Sequence, residues 1–207
     1  MSSGKTLKDV LAGYLPAGCS EPVAEWFGNH RIVLRVTRNR RSKLGDFRGG
    51  RPLAYPCISI NHSLNPYSFI ITLIHEMAHA EIFLSGSRGQ KPHGEHWKEA
   101  YRRLAVPFLK PGMLPEDVRI AFAAYLENPF ASSTACVPLV TALRKFDISS
   151  GNPVISELAE EALFALPDGR VFKRGAKLRK RYKCICLNNK RVYLFSPLAE
   201  IIPVDNK

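Results

Sequence analysis

One segment constrains the chain more than any other. Residues 66–84 read as a single long helix, with Asn65 as N-cap, Pro66 in the first turn and Gly86 as the stop. Ile70, Ile71, Leu73, Ile74, Met77 and Ala78 make this helix almost wholly apolar, so a fold must cover it on nearly every side. The polar residues at its centre are His75, Glu76 and His79. Burying two imidazoles and a carboxylate without partners is costly, so something must satisfy them. The i, i+4 spacing puts both histidines on one face, one turn apart, where they can reach a single ion with Glu76 beside them. A bound Zn²⁺ would satisfy all three.

A zinc site needs a third ligand. His93, in Pro92-His93-Gly94, follows His79 by fourteen positions across the Ser85–Lys91 turn, enough chain to reverse over the helix. Three neutral imidazoles leave one coordination position open, as a catalytic site requires. His96 is the nearest competitor, and Glu95 or Glu99 would be the carboxylate alternatives. The spacing with Gly and His three and six residues after the second histidine, used by one other class of zinc enzyme, is absent, because Ile82 and Ser85 stand there. Met113 reads as a loop residue or as a floor under the metal.

Around this helix the pattern is mixed α+β. Residues 5–15 and 20–29 read as short amphipathic helices, and 31–37 and 55–61 as strands. Further helices are expected from Pro92 to before Pro107 and over 115–126. From 128 the chain becomes rich in Pro, Ser, Thr and Gly, with a short helix near 140–146. Strands are expected at 162–166, 181–187 and 191–195. This predicts a first domain over 1–130, a linker over 131–153 and a small basic β module over 154–207. Cys184 and Cys186 would share one strand face, as half a metal site or as two half-buried side chains. The other cysteines stand alone, which suits a reducing compartment. With no long apolar run and no secretory pattern at the N-terminus, a cytoplasmic protein without membrane contact is expected.

The net charge of +12 is concentrated. Residues 31–51 hold eight basic side chains and one acidic, and residues 170–191 hold ten basic and none acidic. Arg38, Arg40, Arg41, Lys43, Lys173, Arg174, Lys177, Arg179, Lys180 and Arg181 are therefore the candidate contacts to a polyanion. Phe47, Phe172, Tyr182 and Tyr193 interleave with them, as stacking side chains do in binders of single-stranded nucleic acid.

His75-Glu76-Met77-Ala78-His79-Ala80, followed by Pro92-His93-Gly94-Glu95-His96-Trp97, resembles the SprT-like metallopeptidases, the group of bacterial SprT proteins and Spartan-type proteases. His93 and Trp97 fall on the two anchor positions of that family's His-Gly-x-x-aromatic element. Leu44-Gly45, and Ile58-Ser59-Ile60-Asn61 followed by Leu64, resemble its strand pair before the active-site helix. The resemblance covers roughly residues 20–127. It implies an α+β domain of helices on a small sheet, one catalytic Zn²⁺ on His75, His79 and His93, and Glu76 as general base. Glu76 would take a proton from the attacking water and pass it to the leaving amine. It also implies protein substrates associated with or crosslinked to DNA, and the interleaved aromatic residues make single-stranded DNA the favoured nucleic acid. His96 and Tyr101 are candidate oxyanion donors. The alternative function is a nucleic-acid-binding or regulatory protein with a zinc site and little proteolysis. Bacterial relatives often end in a zinc ribbon of two cysteine pairs, and only Cys184 and Cys186 are present to match it.

Overall fold

The computed structural model describes residues 6–40, 43–86, 89, 91–147 and 152–204. It is a mixed α and β structure in two compact units, residues 1–146 and 147–207.

The first unit begins with α1 (Leu7–Leu11) and α2 (Ser20–Asn29), then β1 (Val33–Thr37), β2 (Gly45–Arg48) and β3 (Cys57–Asn61). The strand order is β1-β3-β2, with β1 parallel and β2 antiparallel to the central β3. Alternation along β3 buries Ile58 and Ile60 completely. Gly45 pairs with Ile60 and Phe47 with Ile58, so Gly45 and Phe47 share that buried face. Asn61, fully buried at the end of β3, donates to Asn39 Oδ1 and to the carbonyls of Arg40 and Lys43, which ties down the chain entering β2.

The long helix is α3 (Pro66–Leu84), packed against β2, β3 and α4 (Glu95–Ala105). Asn65 caps it, its Oδ1 accepting from the Tyr67 and Ser68 amides at 3.1 and 2.9 Å. The other end of the same amide donates to the carbonyl of Leu143, 3.0 Å away. Leu143 belongs to α6 (Val137–Arg144), which follows α5 (Glu116–Glu127). Leu139, Ala142 and Leu143 of α6 are buried in the first unit's core. This differs from the linker expected over 131–153. The Pro- and Ser-rich composition of that segment masks an apolar helix face, and the first unit extends to Phe146.

The second unit is a five-stranded sheet of order β7-β6-β5-β4-β8, formed by β4 (Leu163–Ala165), β5 (Val171–Lys177), β6 (Tyr182–Cys186), β7 (Val192–Phe195) and β8 (Ile202–Pro203). Its core is Ile155, Phe164, Phe172, Tyr182, Cys184, Cys186 and Ile201. Both cysteines point into this core as free thiols, and burial raises the Cys184 pKa. Among the described residues, neither belongs to a group able to hold a metal. No helix of the described residues is long and apolar enough to cross a membrane.

Candidate metal centre

Three segments build the site. On α3, His75 and His79 lie one turn apart on the face toward α4, with Nε2 atoms separated by 3.2 Å. The chain then reverses, and His93 enters just before the first turn of α4. Its Nε2 lies 3.0 Å from that of His79 and 3.4 Å from that of His75. His93 adopts φ 62°, a left-handed conformation that a non-glycine residue takes at some cost in strain. Gly94 then caps α4 with its Cα close to the Lys91 carbonyl, where an added Cβ would sit 3.0 Å from the oxygen. The αL turn aims the imidazole back over α3.

Trp97 lies beneath the three rings, its centroid 4.7 Å from those of His75 and His93 and 5.4 Å from that of His79. Only 2% exposed, it closes that side to water. Its Nε1 has no hydrogen-bond partner among the described residues.

The donor set fits a zinc ion. Bonds of about 2.0–2.1 Å at tetrahedral angles place ligand nitrogens roughly 3.3–3.4 Å apart, close to the separations here. Three mutually facing Nε2 atoms cannot all donate to one another, so a cation at their centre resolves the arrangement. Burial, together with the neighbouring imidazoles, pushes His75 down to about 3 and His79 down to about 4. Burial lowers His93 as well. All three rings are then neutral at pH 7, the form that binds a metal.

Glu76, 7% exposed, points to the neighbouring face of α3 toward β2. Burial, helped by the charge of Asp46, pushes its carboxyl up to about 7. A hydrogen bond from the Phe47 backbone and the charges of Arg40 and Lys43 act the other way. The strand and the helix meet closely here: a Cβ on Gly45 would lie 2.7 Å from Thr72 Cγ2 and 2.8 Å from Glu76 Oε1. Gly45→Ala is therefore expected to push the Glu76 carboxylate aside. A displacement of about 1 Å costs on the order of a hundredfold in rate. Zinc content should stay at the wild-type level, and a loss of zinc in step with activity would refute a local effect.

The other sequence candidates sit elsewhere. His96 lines a separate cavity with Glu99, Glu81 and Arg103. Glu95 is exposed and paired with Lys98. The Tyr101 hydroxyl is fully buried and donates to the Ile71 carbonyl at 3.4 Å, so it does not face the cleft as an oxyanion donor. Met113 packs against Gly18, and its carbonyl lies near the Cys19 thiol.

Comparison with known proteins bears on the middle of the chain. The SprT-like family model matches residues 25–118. This stretch of the chain is similar to the SprT-like family. The match runs from the middle of α2 to the first turn of α5 and so contains all four site residues. No curated protein and no solved structure matches the chain. That family is generally associated with zinc metallopeptidases, so the match suggests a metalloprotease-like domain in this region.

The basic residues divide into two groups. Arg40, expected to face a polyanion, instead donates to Asn61 Oδ1, Ser59 Oγ and the Leu44 and Ser59 carbonyls. Lys43 pairs with Asp46 at 2.9 Å. Lys173 pairs with Glu161, and the Arg174 guanidinium lies 4.3 Å from the Tyr182 ring centroid. Arg38, Lys177, Arg179, Lys180 and Arg181 are exposed, the last four around the β5–β6 turn. Arg41 lies outside the described residues. Phe172 and Tyr182 are core residues and Phe47 packs on Phe83, so these three rings are not stacking platforms. Tyr193 is half-buried with Arg170 over its ring.

Proposed function

We propose that the chain is a zinc-dependent endopeptidase. The observation that carries this reading is the convergence of three neutral imidazoles within 3.4 Å of one another, beside a buried carboxylate. His75, His79 and His93 would hold one Zn²⁺. Bound there, the ion supplies Lewis acidity toward a carbonyl and lowers the pKa of water to about 7.

The remaining chemistry belongs to the chain. Glu76 accepts the proton of the attacking water at its carboxylate and delivers it to the nitrogen of the departing amine. The Phe47 backbone and the close approach of Gly45 hold Glu76 on one side. Trp97 excludes water beneath the three imidazoles.

We further propose that the substrates are proteins associated with or crosslinked to DNA, and that the exposed cations Lys177, Arg179, Lys180 and Arg181 contact phosphates, preferably of single-stranded DNA. Charge density at one hairpin turn and the family resemblance support this. The test is cleavage of a DNA-bound protein by the zinc-loaded chain. Chelation should abolish cleavage and added zinc restore it, and reversing the hairpin charges should weaken DNA binding and flatten its salt dependence. Cleavage that persists in full after zinc removal would sink the metal-dependent reading.

A further inference from the structure

His75 and Glu76 open onto a cleft of about 370 Å³. Lys43, Leu44 and Gly45, leading into β2, form one wall. Residues 131–134, between α5 and α6, form another and bring Ser132, Ser133 and Thr134 to the cleft. Leu44 is the one large aliphatic side chain among the described lining residues, and Glu76 is the one carboxylate. This is a poor receptacle for a bulky apolar group and a good one for a small polar or anionic group.

The charge on the first wall is positive. Lys43 Nζ lies 2.9 Å from Asp46, and the same carboxylate oxygen takes Arg48 at 2.7 Å, so one anion is shared between two cations. Arg40 lies close enough to act on Glu76, as Lys43 does, and its hydrogen bonds described above all run to neutral acceptors. Lys43 keeps 37% of its side chain exposed, so its ammonium can exchange Asp46 for a ligand carboxylate. Across the cleft, the Ser132 and Thr134 hydroxyls are 2.5 Å apart and exposed. A cation facing hydroxyl donors is the chemistry that receives a carboxylate, and a lysine or arginine side chain placed there would meet like charge.

Resting on the peptidase reading of the same site, we propose that this cleft selects substrates with an acidic side chain beside the scissile bond, held between Lys43 and the hydroxyls of residues 132–134. The experiment uses the zinc-loaded chain and two fluorescent peptides, identical except for Glu or Lys on both sides of a central bond. Binding is read by anisotropy and cleavage by product formation. Wild type should prefer the Glu peptide by about tenfold. Lys43→Met, which keeps the stem and removes the charge, should erase the preference, and Lys43→Glu should invert it.

Arg35→Glu makes the same charge change on β1, the strand at the opposite edge of the sheet from β2, and should leave the preference in place. A shift in Arg35→Glu equal to that in Lys43→Glu would assign the selectivity to net charge and overturn the proposal. Equal binding of both peptides by wild type would overturn it too. Charge-selective binding without cleavage would keep the subsite and remove the peptidase reading, whereas cleavage without selectivity would do the reverse.

Discussion

Glu76→Gln should leave zinc content at the wild-type level and lower peptide cleavage by about 10²–10⁴-fold, the usual contribution of a general base. The substitution is nearly isosteric, so the packing of α3 against β2 survives. The amide can still accept the Phe47 hydrogen bond through its oxygen, but it cannot take a proton from water at pH 7. Metal binding would depend on other atoms, the Nε2 nitrogens of His75 and His79 on the neighbouring face of α3 and that of His93 before α4. Stability should rise slightly or stay level, because a buried carboxylate held near Asp46 is replaced by a neutral group. Zinc by elemental analysis, thermal unfolding and turnover on one preparation separate these effects. A variant that keeps both zinc and full turnover would remove Glu76 from the chemistry.

The helix carrying these residues is the part of the fold most legible from the sequence. Asn65, Pro66 and Gly86 mark its ends, and an apolar helix interrupted by two histidines and a glutamate leaves few alternatives. Its neighbour β2 is not legible from periodicity, and only the family resemblance at Leu44-Gly45 points to it. Gly45-Asp46-Phe47-Arg48 is four residues long with two charges and a glycine, and its strand character comes from pairing with β3. The glycine that weakens it as a strand signal is what allows it to lie against Glu76.

β5 is hidden for a related reason. It carries Lys173, Arg174, Gly175 and Lys177, and its register shifts between Arg174 and Lys177, so its charge is visible in sequence and its strand periodicity is not. The basic residues around the first sheet mislead in a further way. A charge count cannot distinguish Arg38, which faces water, from Arg40, which binds the backbone around β3. Only tertiary contacts separate a positive charge available to a partner from one committed to the fold. The same contacts turn Lys43 from a general polyanion candidate into part of a cleft wall.

The second large effect concerns the third ligand. His93→Ala should reduce zinc affinity by more than about a hundredfold. Loss of a group that merely supports a ligand already costs about 10–100-fold, and His93 provides one of three nitrogens. His96→Ala should leave zinc affinity unchanged, since that side chain lines a different cavity with Glu99. The two variants share one short segment, which makes them mutual controls for disturbance of the turn into α4. They also differ in backbone consequence. His93 holds φ 62°, where alanine is strained, so His93→Ala mixes ligand loss with a cost in folding. His93→Asn separates the two, because asparagine tolerates the left-handed region. It should recover stability relative to alanine and still fail to bind zinc tightly, its amide oxygen being a weak partner for this ion. If His93→Asn and His93→Ala both keep wild-type zinc affinity while His96→Ala loses it, the third ligand lies three residues further along α4. The αL turn would then have to be explained by packing against Trp97 alone.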